Sequence, residues 1–279
     1  NKMTKKDKPT KKYIFLKILG ALAAVVFILF AVSFPLRTVR YTLVSRKVTK
    51  KVRIVQISDL HSCSYGKNMK NLINAVDAAE PDIIVLTGDI FDIRTDNKNS
   101  DTLLKAIAKK YPCYYVSGNH EYWGNMWETF SRRAESFGVT VLQGENVDID
   151  GIMICGASAK SDIGDSVKVC ADNADTNNFN VLLAHFPEKI DFYRSFGKFD
   201  LVLSGHAHGG QWRLPPFMNG LYAPGQGLFP KYAGGRYDFD DTTFIVSRGL
   251  SRTIERIPRI FNNPELVVID ILPEGEDGE

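Results

Sequence analysis

Residues 54–61 read Ile-Val-Gln-Ile-Ser-Asp-Leu-His, and this stretch sets the pattern that decides the fold. A short apolar run, typical of a buried β-strand, leads directly into an aspartate and a histidine. The same succession of an apolar run and a polar cluster occurs four more times, at residues 83–92, 114–121, 181–185 and 201–208. Helical patterns lie between most of these runs. The alternation of strands and helices predicts an α/β fold.

The polar clusters lie at the carboxyl ends of the predicted strands. Ligands bind outside these ends in open α/β sheets, so five clusters at five strand ends predict one convergent site. In the D-x-H of residues 59–61 and the H-x-H of residues 206–208, the two outer side chains point the same way, because the side-chain period of a strand is two. Glycines at positions 88, 118 and 205 allow the backbone to turn tightly beside the site.

The histidines indicate metal binding. The chain has only five, and all of them lie in the strand-end clusters: His61, His120, His185, His206 and His208. A lone histidine is more often an ordinary core or surface residue, but that explanation does not account for five beside aspartate and asparagine. Imidazole and carboxylate together suit Mn, Fe, Zn or Ni better than Mg or Ca. The ligands are too many for one ion, which predicts two divalent transition-metal ions that share a carboxylate.

Taken together, the clusters resemble the motifs of the calcineurin-like metallophosphoesterases, in the order that this family has them. The motifs are D-x-H at 59–61, G-D-x-x-D at 88–92, G-N-H-E at 118–121, a single histidine at 185 and G-H-x-H at 205–208. The resemblance covers roughly residues 54–210. Residues 206–211 and 246–250 look like the membrane-anchored bacterial branch of that family.

The resemblance implies a four-layer αββα sandwich with two mixed sheets and a dimetal centre above them. It implies that one ion is held by Asp59, His61, Asp89 and His208. It implies that the other is held by Asp89, Asn119, His185 and His206, with Asp89 bridging the two. His120 would contact the phosphate or the leaving group instead of a metal, and Asp92 would orient it.

The resemblance also implies the reaction. A hydroxide that bridges the two ions would attack phosphorus in line, and His120 would stabilise or protonate the departing alkoxide. Glu121 is expected to be structural. The phosphoester substrate is left open among phosphodiester, pyrophosphate and phosphomonoester, with a membrane lipid or cell-envelope molecule favoured. The alternative is a catalytically inactive sensor of phosphate or of a lipid headgroup, which would require broken ligand motifs, and none is broken.

The charge of the chain is divided unevenly. Residues 1–53 carry 14 Lys and Arg and the single acid Asp7, a balance of +13, which leaves −10 for the remainder. A nucleic-acid-binding protein would have a positive body, so no nucleic-acid partner is expected. A basic segment before an acidic body is typical of an enzyme behind an anchor.

Residues 18–34 form an uncharged, almost wholly apolar stretch that ends before Pro35. Together with the preceding lysines, this stretch predicts a transmembrane helix, so the membrane is an expected partner through residues 18–34. The predicted organisation is a basic segment at 1–17, the helix at 18–34, a linker at 35–50, the catalytic domain at 51–272 and an acidic tail at 273–279. A single-pass membrane location with an extracytoplasmic catalytic domain is expected, and a cleaved signal peptide is the alternative.

Two further features remain open at the level of sequence. Residues 211–240 are rich in Gly, Pro and aromatic residues without periodicity, and such a long irregular segment is usually functional. Its aromatic side chains either pack within the loop or form a wall for an apolar or sugar-containing substrate. The four cysteines show no C-x-x-C spacing and are predicted to be reduced, with one disulfide as the alternative in an extracytoplasmic domain.

Overall fold

The computed structural model describes residues 11–31, 35–160, 163–254 and 257–275. Some predicted segments therefore lie partly outside the described residues. These parts are residues 1–10 of the basic segment, 32–34 of the predicted transmembrane helix and 276–279 of the acidic tail.

Two six-stranded sheets, with helices around them, form the described part of the chain. The strands are β1 (Arg37–Ser45), β2 (Val52–Ile57), β3 (Ile83–Thr87), β4 (Cys113–Val116), β5 (Thr140–Val141), β6 (Asn146–Ile149), β7 (Ile152–Gly156), β8 (Phe179–Leu183), β9 (Leu201–Ser204), β10 (Tyr222–Ala223), β11 (Gly227–Leu228), β12 (Gly235–Asp238), β13 (Thr243–Val246), β14 (Thr253–Ile254), β15 (Ile257–Pro258) and β16 (Glu265–Pro273). The helices are α1 (Lys11–Ala31), α2 (Lys70–Asp77), α3 (Lys98–Ile107), α4 (Asn119–Tyr122), α5 (Trp127–Glu135), α6 (Ile163–Asp172) and α7 (Ile190–Arg194).

The first sheet has the strand order β1-β16-β2-β3-β4-β5. Its neighbouring strands are parallel except for β16 and β2, which are antiparallel. All five residues of β3 are buried, because a central parallel strand is covered on both faces. The sheet therefore brings the carboxyl ends of β2, β3 and β4 to the same edge.

The second sheet has the strand order β12-β13-β9-β8-β7-β6. Its four inner strands are parallel, and β12 and β6 pair antiparallel at the two edges. Strands β6 and β7 form a hairpin whose turn lies at Asp150 and Gly151. Both sheets are mixed, so the predicted α/β fold with two mixed sheets is confirmed.

Three hydrophobic clusters show how the sheets and helices are layered. Side chains of both sheets, among them Ile54, Val85, Val181 and Leu203, pack in one cluster between the sheets. A second cluster joins the outer face of the first sheet to α2, α3 and α5. A third joins the outer face of the second sheet to α6 and α7. The order of layers is thus helix, sheet, sheet, helix.

The helices on the first sheet follow from their apolar spacing. Side chains four residues apart share one helix face, and burying that face stabilises the helix. The buried pairs are Leu72 with Val76, Leu103 with Ile107, and Phe130 with Ala134. All four cysteines are free, as predicted.

The prediction of a membrane-spanning segment is wrong. A bilayer crossing needs a helix of about 20 predominantly apolar residues. Among the residues that the structure describes, no helix combines the length and the apolar character that such a crossing demands. The expected transmembrane helix at 18–34 and the expected membrane location with an extracytoplasmic domain are corrected accordingly.

The predicted linker at 35–50 also differs from the structure. Residues 37–45 of it form β1, which pairs in parallel with β16 from Arg37 opposite Glu265 to Ser45 opposite Pro273. Val39, Tyr41 and Leu43 turn inward at every second position, and Leu43 is buried. This period of two is typical of a β-strand. The basic residues of the segment suggested a linker instead.

Candidate metal centre

The polar clusters predicted from the sequence converge at one edge of the two sheets. Asp59 and His61 follow β2, Asp89 and Asp92 follow β3, Asn119 and His120 begin α4 directly after β4, His185 follows β8, and His206 and His208 follow β9. Side chains from both sheets thus meet in one place. Each proposed site residue lies within hydrogen-bonding or ion-pairing distance of another.

One group of potential ligand atoms belongs to Asp59, His61, Asp89 and His208, and these atoms lie within 4.8 Å of one another. His61 Nδ1 lies 3.2 Å from Asp92 Oδ2. Because a carboxylate only accepts, Nδ1 carries the proton and Nε2 keeps its lone pair. That Nε2 atom is buried, has no hydrogen-bond partner among the described residues, and lies 3.5 Å from Asp89 Oδ2. A buried lone pair beside carboxylates fits a cation.

A second group belongs to Asp89, His185 and His206, and Asn119 joins it. His185 Nδ1 lies 2.8 Å from the Thr87 carbonyl oxygen, so this nitrogen donates and Nε2 faces the centre. His185 Nε2 lies 3.2 Å from Asn119 Oδ1, 3.1 Å from His206 Nδ1 and 3.4 Å from Asp89 Oδ2. Lone pairs on atoms this close repel one another unless a proton or another cation lies between them. These residues therefore also fit a metal ion.

Asp89 is common to both groups. Its Oδ2 atom faces His61 Nε2 at 3.5 Å and His185 Nε2 at 3.4 Å, while its Oδ1 accepts from the backbone N–H of His120 at 2.9 Å. The carboxylate is almost completely buried. This position between two ligand groups is the one that a bridging ligand requires.

Glu121 fixes the turn that carries Asp89. Its buried carboxylate accepts hydrogen bonds from the backbone N–H groups of Asp89, Ile90, Phe91 and Gly118, at 2.7–3.1 Å. Burial and the nearby charge of Asp89 raise the pKa of Glu121. A Cβ at Gly118 would lie 2.1 Å from Asp89 Oδ1, so only glycine fits there. Glu121 therefore has the expected structural role.

The backbone at the site is strained. Five of the proposed ligands have positive φ, between 44° and 67°: Asp59, His61, Asp89, His206 and His208. Residues other than glycine rarely adopt this region, and each costs on the order of 1 kcal/mol or more. The hydrogen bonds around the site hold these residues in place, as a preorganised ligand set requires.

Asn262 is a functional candidate that the sequence analysis did not identify. It is completely buried, and its Nδ2 donates to the carbonyl oxygens of His208 at 2.8 Å and Gln211 at 3.1 Å. Gly209 has a φ of +66°, and a Cβ there would lie 2.3 Å from Asn262 Oδ1. Asn262 therefore holds the turn that places His208. Its only sequence signal is the pair of glycines after His208, which does not reveal the partner.

Arg259 stabilises the loop after β13, next to the metal centre. Its guanidinium is completely buried and donates to the carbonyl oxygens of Ser251 and Arg248, each at 2.6 Å. Burial lowers the pKa of Arg259 to about 10, so it remains a cation at neutral pH. The backbone N–H of Ser251 in turn donates to the carbonyl oxygen of Asp59 at 2.6 Å. The loop after β13 is thereby tied to the first ligand cluster.

The charges of the site residues shift one another's pKa values. Burial alone would lower the pKa of His185, but the charges of Asp89 and Asp59 raise it to about 10. Burial raises the pKa of Asp59. Burial and the neighbouring imidazolium of His185 lower the pKa of His206 to about 3. A proton on His185 therefore occupies the position that a metal ion would take in the second group.

A cavity of about 260 Å³ opens onto the centre. Its walls are formed by Asp89, Arg94, Asn119, His120, Trp123, His206, His208, Tyr222 and Pro224. The cavity thus combines four of the proposed ligands with one arginine and two exposed aromatic side chains. It has room for a phosphoryl group and the first part of a leaving group.

We expect Asn262→Ala to weaken Mn²⁺ binding roughly 10- to 100-fold, the usual effect of removing a group that orients a ligand. The turn at His208 would lose two buried hydrogen bonds, whereas the ligands themselves would remain. Isothermal titration calorimetry on the wild type and the variant measures the change. The matched control is Asn173→Ala, at an exposed position directly after α6. Equal affinities in all three proteins would contradict a role for Asn262 in the site.

We expect Mn²⁺ binding near pH 7 to release about one proton, because His185 has a pKa of about 10 in the ion-free protein and must lose its proton to bind a metal. The affinity should therefore fall as the pH is lowered. Calorimetric titrations in two buffers of different ionisation enthalpy give the number of protons released. Zero released protons would show that His185 does not become a ligand.

Comparison with known proteins agrees with this geometry. Residues 52–210 match the sequence model of the calcineurin-like phosphoesterase family. An uncharacterized metallophosphoesterase of Campylobacter jejuni is 32% identical over 235 residues, which cover 80% of this chain and 59% of that protein. One of Aquifex aeolicus is 30% identical over 266 residues, which cover 87% of this chain and 94% of that protein.

The chain spans only about 60% of the length of the first relatives, 59% in Campylobacter jejuni and 62% in Helicobacter pylori. Among solved structures, a dimetal phosphatase from Danio rerio aligns with a TM-score of 0.46 at 12% identity, over 74% of this chain and 90% of that one, a likeness too weak to carry an argument. The predicted membrane-anchored branch stays a prediction. The match to the family model and the Aquifex aeolicus relative place the chain in the calcineurin-like phosphoesterase family.

Proposed function

We propose that the chain hydrolyses phosphoesters with the help of two divalent ions. The observation that carries the proposal is the pair of buried ligand groups that share Asp89. We assign one ion to Asp59, His61, Asp89 and His208. We assign the other to Asp89, Asn119, His185 and His206. Membership of the phosphoesterase family supports the same reaction class.

When bound, two such ions supply an acidified water as nucleophile and neutralise the phosphoryl oxygens. The residues of the chain do the rest. Asp89 would be shared by both ions, and the charge of the bound ions would keep the carboxylate and imidazole ligands unprotonated. The mixture of imidazole, carboxylate and amide ligands favours Mn, Fe, Zn or Ni.

His120 is suited to protonate the leaving group. Its Nδ1 lies 3.1 Å from Asp92 Oδ2, so Nδ1 donates to the carboxylate and Nε2 is directed toward Asp89, at 3.9 Å from Oδ2. His61, Asp92 and His120 also lie close enough to form a metal group of their own. However, Asp92 Oδ2 already accepts from both imidazoles and from Arg94. We therefore assign Asp92 to orientation and His120 to acid catalysis.

We propose a substrate with an apolar or sugar-containing part, such as a membrane lipid or a cell-envelope molecule. The segment at 211–240 supports this proposal, because its aromatic side chains divide into two sets. Tyr232 is buried and packs against Tyr237 and Phe244. Phe217 and Tyr222, in contrast, are 86% and 50% exposed, and Tyr222 lines the cavity. Tyr222, of this exposed set, offers an apolar surface beside the site.

The proposal is tested by incubating the full chain with Mn²⁺ and a panel of phosphomonoesters, phosphodiesters and pyrophosphates. Hydrolysis that requires added metal supports it, and the rates rank the three substrate classes. A metal-loaded chain that cleaves no member of the panel, yet binds phosphate, would instead favour the phosphate-sensing alternative.

We expect Asp89→Asn to remove at least one of two bound ions and nearly all turnover. The amide cannot bridge two cations, because it lacks the negative charge that both share. Metal content by atomic emission and the rate on bis(p-nitrophenyl) phosphate give the two readouts. Asp240→Asn, at an exposed position, is the matched control. Two ions and a wild-type rate in Asp89→Asn would refute the dimetal assignment.

We expect His120→Ala to keep its metal content and to lose on the order of 10²–10⁴ in rate, the range usual for a general acid. The loss should be smaller for a p-nitrophenyl ester than for an alkyl ester, because a good leaving group needs no proton. Metal analysis and rates on both esters distinguish the two roles. Loss of a bound ion in this variant would make His120 a ligand.

A further inference from the structure

Arg94 lies at the mouth of the metal cavity, in the loop after β3. Its Nε donates to Asp92 Oδ1 at 3.1 Å and its Nη2 to Asp92 Oδ2 at 2.9 Å. The guanidinium carbon also lies 5.1 Å from the centre of the Trp123 ring. The side chain of Arg94 is nevertheless 45% exposed, whereas that of Asp92 is 3% exposed. The guanidinium plane is thus held in place while part of it faces the cavity.

A purely structural role does not account for this placement. Asp92 already accepts from His61 Nδ1, His120 Nδ1 and the backbone N–H of Arg94. Its carboxylate is therefore satisfied without the guanidinium. A half-exposed ion pair contributes only about 0–1 kcal/mol to stability. The position of Arg94 beside the reacting groups is the feature that remains to be explained.

Arg94 lies close to His120, the residue that we assign to protonation of the leaving group. Its Nη2 lies 3.3 Å from His120 Nδ1, and the centre of the His120 ring lies 3.7 Å from that of Trp123, with the two rings tilted by 31°. Arg94, His120 and Trp123 therefore form one wall of the cavity. A positive charge held in this wall would face the departing part of a substrate whose scissile phosphoryl group lies beside the proposed metal ligands.

We propose that Arg94 binds a second phosphate, attached to the scissile one through the bridging oxygen, so that the preferred substrate is a pyrophosphate-linked molecule. This inference rests on the proposed function. Arginine suits the role, because its planar guanidinium matches the oxygens of a phosphate. Trp123 and Tyr222, which are exposed at the same mouth, would contact the group that this phosphate carries.

The reaction balances as a hydrolysis. The oxygen of one water forms a bond to the scissile phosphorus, and the bond from that phosphorus to the bridging oxygen breaks. The electron pair stays on the bridging oxygen, which becomes an oxygen of the departing phosphomonoester. Two phosphomonoesters form, and two protons reach the solvent once both products are fully ionised, above a pKa of about 6. Arg94 would stabilise the charge that the departing phosphate gains.

The test compares two substrates in one pair of proteins. We expect Arg94→Ala to lower the ratio of kcat/KM for ADP-ribose to kcat/KM for bis(p-nitrophenyl) phosphate by roughly 10- to 100-fold, since a charged hydrogen bond is lost for only one of them. Arg94→Lys should recover part of the ratio, because it keeps the charge but not the planar fork. Arg132→Ala, whose side chain is 75% exposed, is the matched control.

The outcomes separate this inference from the proposed function. An equal loss of kcat/KM on both substrates would place Arg94 on the scissile phosphoryl group. No loss of kcat/KM on either substrate would give Arg94 a purely structural role. Both results overturn the inference while the phosphoesterase function stands. If the wild type cleaves neither of these substrates and no phosphomonoester of the panel, the proposed function fails. The inference is then tested by calorimetric binding of methylenediphosphonate to the Mn²⁺-loaded wild type and Arg94→Ala. Binding by Arg94→Ala that is about tenfold weaker than by the wild type, with phosphate binding less affected, supports the inference. Equal binding by the two proteins overturns it.

Discussion

The structure depends on one electrostatic constraint: several buried atoms with lone pairs must face one another around the carboxylate of Asp89. Nitrogens of His61 and His185 approach the same oxygen to within 3.4–3.5 Å, and Asn119 and His206 approach the same nitrogen of His185. Such a set is unfavourable without positive charge between its members. In the ion-free chain a proton on His185 supplies that charge, and the same position suits a metal ion better.

The scaffold holds this unfavourable arrangement by fixing the backbone on every side of it. Glu121 binds four backbone N–H groups around Asp89, and Asn262 binds the carbonyl oxygens that flank the turn at His208. Five of the proposed ligands also occupy the left-handed region of φ and ψ. The strain is offset by these hydrogen bonds and by the packing of two sheets whose central strands are buried almost throughout.

The sequence predicts the centre well because each ligand is a local feature of a strand end. Asp59, Asp89 and His185 each follow an apolar run directly, so their convergence follows from sheet geometry alone. Asn262 could not be found in this way, because it acts through a contact between segments 54 residues apart in the chain. Strand β1 was not predicted from the sequence, because its basic residues suggested a linker. The prediction of a transmembrane helix was wrong because apolar composition alone does not establish a membrane-spanning segment.

The division between scaffold and cavity wall suggests where the selectivity of the site resides. The proposed ligands come from the ends of five strands, and moving any of them would disturb both sheets. Arg94, in contrast, lies in the loop after β3, Trp123 lies directly after α4, and Tyr222 belongs to the short strand β10 within the segment at 211–240. None of them belongs to the motifs that identify the family. A change at these positions can alter which leaving group is accepted while the strand ends, and with them the metal chemistry, stay as they are.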